Sequence, residues 1–194
     1  MLLGAALLWF GLASLNAGSE LAADDIAGTT IINTQLATAA SVAGWLLVER
    51  LRSRRTTLRG AASGAIAGVV AISPGCAYVS PAGAIAIGAI AGGVCALLMS
   101  LRHRVGLDDR LGVVAIHLGG GAIGALLVGF LSAGAIAYDD RVHSFDAGLL
   151  YGGGLGQLGS QAVGVIAVAG YSFLVAWFLA RTIDDKLGFR RPPS

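Results

Sequence analysis

The sequence predicts an all-α membrane protein with six transmembrane helices, and three observations predict it. Hydrophobic residues make up 56% of the 194 positions and charged residues 12%, about half the charged share of a soluble domain. The mean hydropathy is +0.78. The charges fall in clusters, leaving six apolar windows of the length that crosses a hydrocarbon core, about 20 residues each.

The windows run in order along the chain. Leu2–Gly18 follows Met1 directly. A signal peptide would open on a positively charged stretch, so a mature span is expected. Ala27–Val48 is the second. Leu58–Tyr78 is the third, and Pro74 should break or kink it because proline removes a backbone donor and clashes with the preceding turn. Pro81–Leu101 is the fourth, with Pro81 suited to a first helical turn. Leu111–Tyr138 and Leu149–Ala180 are longer, and are expected to tilt or to continue past the bilayer. Residues 1–184 are expected to form one transmembrane domain, and 185–194 a short tail ending in a frayed Pro192-Pro193-Ser194.

Charge placement orients the helices. All but one of the 13 Lys and Arg lie in alternate connections: residues 50–59, residues 102–110 and the tail. The other side holds Arg141 with Glu20, Asp24, Asp25, Asp139, Asp140 and Asp146. The positive-inside rule places the basic connections and both termini in the cytoplasm, in a multi-pass protein of the cell membrane. Those basic loops are short, flank spans and lack interleaved aromatics, so nucleic-acid binding is not expected.

Glycine recurs within the spans, as at Gly60, Gly64 and Gly68 or Gly88 and Gly92, a spacing that lets helix backbones approach closely. Gly119–Gly121 is not a phosphate loop, since it lacks the lysine and a preceding strand. Neither a metal-ligand cluster nor a G-x-S-x-G or H-E-x-x-H motif is present, and neither an enzyme nor a cofactor is expected. Cys76 and Cys95 read as small packing residues, and His103 and His143 as solvated loop residues.

His117 is different. It is an ionisable ring inside an otherwise uncharged span, where such groups face a packed interior or a conduction path rather than lipid. From the residues alone, two readings stand: a path-lining histidine, or a structural one bonded to a neighbouring helix. Asn16-Ala-Gly-Ser19 closes the first span, where polar groups either cap the helix or offer oxygens to a cation.

Taken in register, several blocks resemble the ammonium transporter family, the Amt/Mep/Rh group. Leu8-Trp-Phe-Gly11 and Asn16-Ala-Gly-Ser19 are similar to its sixth helix, and Ile32-Asn-Thr34, Gly44-Trp45 and Glu49 to its seventh. Gly60–Gly68 with Ser73-Pro74 resembles the eighth, Asp108-Asp109 through His117 to Gly124 the tenth, and Leu149–Gly154 the start of the eleventh. The resemblance implies the second half of a fold of eleven helices built as two inverted repeats plus a final helix, assembled as trimers.

It also implies a function. Ammonium would be recruited at an outer site and deprotonated, the neutral ammonia would pass two stacked histidines, and the proton would be regained inside. His117 matches the second histidine, and Ser19 an oxygen of the outer site. Leu8 and Val113 would be apolar wall. Leu12 stands where the family has a tryptophan and Leu15 where it has a pore-gating phenylalanine; Leu118 replaces a glycine and Gly112 an aspartate. The family's long tail, which contacts a nitrogen-regulatory PII protein, is cut short after Gly188-Phe-Arg190, so PII docking is not expected. The competing reading is a non-transporting membrane fragment, or a half that needs a partner supplying the first repeat.

Overall fold

A computed structural model describes residues 2–105, 109, 112–138, 141–144 and 146–188. Among the described residues six apolar helices form. Four are long and apolar enough to cross a membrane, and two shorter ones, α1 (Leu2–Gly18) and α3 (Leu58–Ile72), complete the set.

Local chemistry sets the boundaries. The helix α2 (Asp25–Ser53) starts where the Asp24 carboxylate accepts the Ala27 N–H at 3.0 Å, and ends at Arg54 in the left-handed conformation. It outruns its window because its last turns carry charge, which hydropathy excludes and helix geometry does not. Thr57 caps α3 by accepting the Gly60 N–H at 2.9 Å. That helix stops at Ile72, short of the expected Tyr78, because Pro74 removes a donor needed for another turn. The fourth helix, α4, spans Pro81–Val105.

The last two windows divide further than hydropathy suggests. The fifth contains a π-helical turn, Val114–Gly119, that runs into α5 (Gly120–Leu131). Its apolar tail is not helix: β1 (Ala135–Tyr138) pairs antiparallel with β2 (Arg141–Ser144) in a short ribbon. The sixth window does not begin as a regular span. Leu149–Tyr151 is a single 3-10 turn, Gly152 and Gly154 take positive φ, and α6 runs Gly156–Leu187, past Ala180. Residues 189–194, with the proposed frayed end, lie outside the described residues, as do Leu111, Arg110 and the His103 and His143 side chains.

Helices α2, α3 and α4 form the core, with α1 laid on α2 and α3, α5 on α3 and α4, and α6 chiefly on α5. Glycine permits the closest approaches. A methyl group at Gly88 would overlap the Ala37 carbonyl, at Gly92 the Ser41 carbonyl and at Gly44 the Ala89 carbonyl. These are the backbone contacts expected where lipid supplies no hydrophobic incentive and dispersion must drive packing.

Polar side chains pin the helix ends. The buried Asn33 amide donates to the carbonyls of Cys76 at 2.8 Å and Val79 at 2.9 Å, clamping the connection after α3. Its Oδ1 has no partner, a consequence of aiming both hydrogens at one turn. Asn16, also buried, donates to Thr34 Oγ1 at 3.3 Å and ties α1 to α2. Cys76 and Cys95 are buried and unbridged, as packing residues should be.

Candidate functional site

The π-helical turn positions His117. An acidic side chain starts it: Asp109 Oδ2 accepts the N–H groups of Val114 at 3.1 Å and Ala115 at 3.2 Å. A carboxylate there satisfies donors that a helix start leaves orphaned, and its charge suits the positive end of the helix. Gly112, at φ 74°, supplies the backbone bend between cap and helix. The wider π turn then divides the residues into two faces. Ala115 and Ile116 are buried, whereas Val113, Val114, His117 and Leu118 are exposed.

The His117 imidazole makes no side-chain hydrogen bond to any described residue. Among the described residues it is therefore not bonded to a neighbouring helix, and it stands on an apolar strip with Val113, 52% exposed. Irregular helical turns of this kind are rare and concentrate at functional sites. An imidazole left bare to hydrocarbon would be costly, so this strip calls for a protein or aqueous cover.

On α1, Leu8, Leu12 and Leu15 follow at i, i+4 and i+7, one stripe of the helix, and Ser19 continues it at i+11 in the turn just past the last residue, Gly18. Leu15 is 65% exposed, Leu8 38%, and Leu12 half-buried where the stripe meets the packed face around Ala5 and Asn16. Ser19 donates its hydroxyl proton to the Asn16 carbonyl at 2.7 Å. What the exposed oxygen still offers outward is its lone pairs, so it caps and remains an acceptor.

Helix α1, which carries the stripe, and the His117 turn both pack against α3. They flank a shared helix, and no hydrogen bond joins the two sets among the described residues. The Asp109 cap was missed from sequence, where Asp108-Asp109 reads only as an acidic turn. The signal was there: an aspartate just ahead of an apolar run is a helix-start signature. The Asn33 clamp had no such signal, because its partners lie far away in sequence.

Comparison with known proteins identifies the family and the fold. The family model described as Ammonium Transporter Family matches residues 1–192. An ammonium transporter of Mycobacterium tuberculosis is 47% identical over 190 residues, covering 98% of this chain and 40% of that protein. Ammonium transporter Amt1 of Archaeoglobus fulgidus is 41% identical, covering 97% of this chain and 46% of its own length. Among solved structures, Saccharomyces cerevisiae Mep2 superposes with a TM-score of 0.88 at 31% identity, over 97% of this chain and 44% of that one. The chain spans less than half the length of each of these relatives.

Proposed function

The chain belongs to the ammonium transporter family and is a multi-pass membrane protein; from that premise we propose that it forms one half of a path for ammonium and ammonia. The observation that carries the proposal is His117, without a hydrogen-bond partner among the described residues and exposed on an apolar strip in a helix of a membrane protein. The same residue is the one the resemblance matches to a pore histidine.

In this reading ammonium arrives at the outer end of α1, where the Ser19 oxygen and the acidic residues of that side favour a cation. Leu12 and Leu15 offer no aromatic face for a cation–π contact, which leaves oxygen as the recruiting chemistry. Beyond them Leu8 and Val113 supply apolar wall. A dry apolar lining rejects ions and admits the neutral molecule. Imidazole suits the path because it both donates and accepts hydrogen bonds to a small polar solute. The second wall comes from a first repeat, the whole assembles as a homotrimer, and the arginine-rich ends and both termini face the cytoplasm.

The test is methylammonium uptake by liposomes carrying this chain, alone and together with a partner half spanning the rest of the relatives' length. The 194-residue chain alone should give no concentration-dependent uptake, and the combination should. His117→Ala in the combination should abolish or sharply alter selective flux with membrane insertion unchanged. Flux per folded molecule at the unmutated level would reject the pore assignment. The second reading, a non-transporting membrane fragment, is favoured by the open faces of α1 and α6, and it stands if the combination never transports.

A further inference from the structure

Residues 50–59, where α2 turns into α3, are all exposed and include Arg50, Arg52, Arg54, Arg55 and Arg59. The nearest acid in sequence, Glu49, is not available to them. Its carboxylate accepts the Thr57 N–H at 2.9 Å, the Thr57 hydroxyl at 3.0 Å and the Trp45 indole N–H at 3.3 Å. Thr57 in turn caps α3, and any side chain at Gly60 would overlap the Glu49 carboxylate. Glu49 is thus turned inward to lock the corner. None of the five arginines forms an ion pair among the described residues.

Leucines stand beside these cations. Leu51 is 74% exposed and Leu58 68%, and Leu47 lies one turn before Leu51 on the same helix face. Five unpaired guanidinium groups bordered by bare leucines, where two apolar helices end, match one environment in both respects. It is the boundary where phosphate groups overlie acyl chains. Guanidinium pairs with phosphate through two parallel hydrogen bonds, and leucine gains only from the hydrocarbon side. A water-borne polyanion would meet the arginines and leave the leucines wet.

We propose that the α2–α3 corner docks the phosphates of anionic phospholipid headgroups, with Leu51 and Leu58 seated in the acyl boundary beneath. The inference rests on the chain being a membrane protein and not on its transport activity. It needs the corner to sit at a bilayer surface. Which surface is a separate matter, read by labelling a cysteine placed at residue 54 from each side.

The experiment titrates the purified 194-residue chain in neutral detergent with phosphatidylglycerol, phosphatidylcholine and inorganic phosphate, reading bound lipid by native mass spectrometry. Phosphatidylglycerol should bind in preference to phosphatidylcholine. The double variant Arg54→Gln/Arg55→Gln should weaken the anionic lipid alone, by about fivefold per arginine removed. Arg181→Gln, on α6, should leave the preference intact. In parallel, phenylglyoxal modification of the unmutated chain should be slowed at Arg54 and Arg55 in phosphatidylglycerol liposomes relative to phosphatidylcholine ones, which keeps the test alive if the double variant does not fold. Equal binding of the two lipids, an unchanged preference in the double variant, or no protection would overturn the proposal. So would full competition by millimolar inorganic phosphate, which would make this a site for the free anion, or tighter binding of single-stranded RNA than of phosphatidylglycerol.

Discussion

The α2–α4 interface and α6 use the same residues to opposite ends. Between α2 and α4, Gly44, Gly88 and Gly92 bring backbone against backbone, with no room for a methyl group. On α6, Gly156, Ser160 and Gly164 repeat the four-residue spacing of small residues that packs membrane helices. Yet nothing lies within 4 Å of where a side chain would begin at Gly156, Gly159, Gly164 or Gly170. No described residue of α6 is buried. The spacing therefore reports an interface in the first case and an unfilled one in the second. Glycine says that a helix is built to be approached; only the contacts say by what.

The largest expected effect breaks this contrast if it is wrong. Gly88→Val forces a branched side chain into the Ala37 carbonyl, with no flexible neighbour to give way. Overpacking of this kind costs about 1–3 kcal/mol where neighbours can shift, and backbone cannot shift cheaply. We expect loss of monodisperse protein on size-exclusion chromatography in detergent. Gly164→Val should behave as the unmutated chain does, within about 0.5 kcal/mol, as surface substitutions generally do. Equal losses would mean that α6 has an interface of its own here.

A second comparison sets two polar bonds against each other. Asn33 is buried and clamps a turn 43 and 46 residues away in sequence, whereas Thr182 on α6 only bonds back to Phe178 at 2.9 Å. Asn33→Leu leaves two buried carbonyls without donors, at about 1–3 kcal/mol each in the general case. The thermal midpoint should fall by several degrees. Thr182→Val should leave it unmoved. If both variants matched the unmutated midpoint, the clamp would be a passive contact rather than a determinant of the fold.

The same contrast explains what the sequence disclosed. Six apolar helices were legible because membrane burial is written in composition, and Pro74 and Pro81 marked ends by chemistry that needs no partner. The fifth window misled because hydropathy averages over period. Ala135-Ile-Ala-Tyr138 is as apolar as a helix turn and folds as a strand. The π turn at His117 was illegible, for no residue type or spacing in Val114–Gly119 distinguishes it from an ordinary helical turn. Of the candidate site, His117 and Ser19 stood out by residue type, and Leu8, Leu12 and Leu15 only by resemblance. What holds them, Asp109 for one and Asn16 for the other, emerged only with the contacts.

The smallest effect expected lies at the border between the packed and the open regions, where Asp109 caps the turn that carries His117. Asp24 caps α2 in the same way, through the Ala27 N–H, but at the start of a helix that the core holds from Thr30 to Trp45. Losing an aspartate cap costs about 1 kcal/mol. In Asp109→Ala that loss should fall on the turn itself, because only one face of it is packed, and amide exchange at Val114 and Ala115 should speed by about fivefold. In Asp24→Ala the Ala27 amide should speed similarly while the amides of the next two turns of α2 stay protected by α4. The informative reading is the amide of Leu118, one turn beyond the cap. If it exchanges faster in Asp109→Ala, the carboxylate sets the geometry of the whole π turn and with it the direction of the imidazole. If it does not, packing of Ala115 and Ile116 is what holds His117 in place, and the open face is anchored from behind rather than from its end.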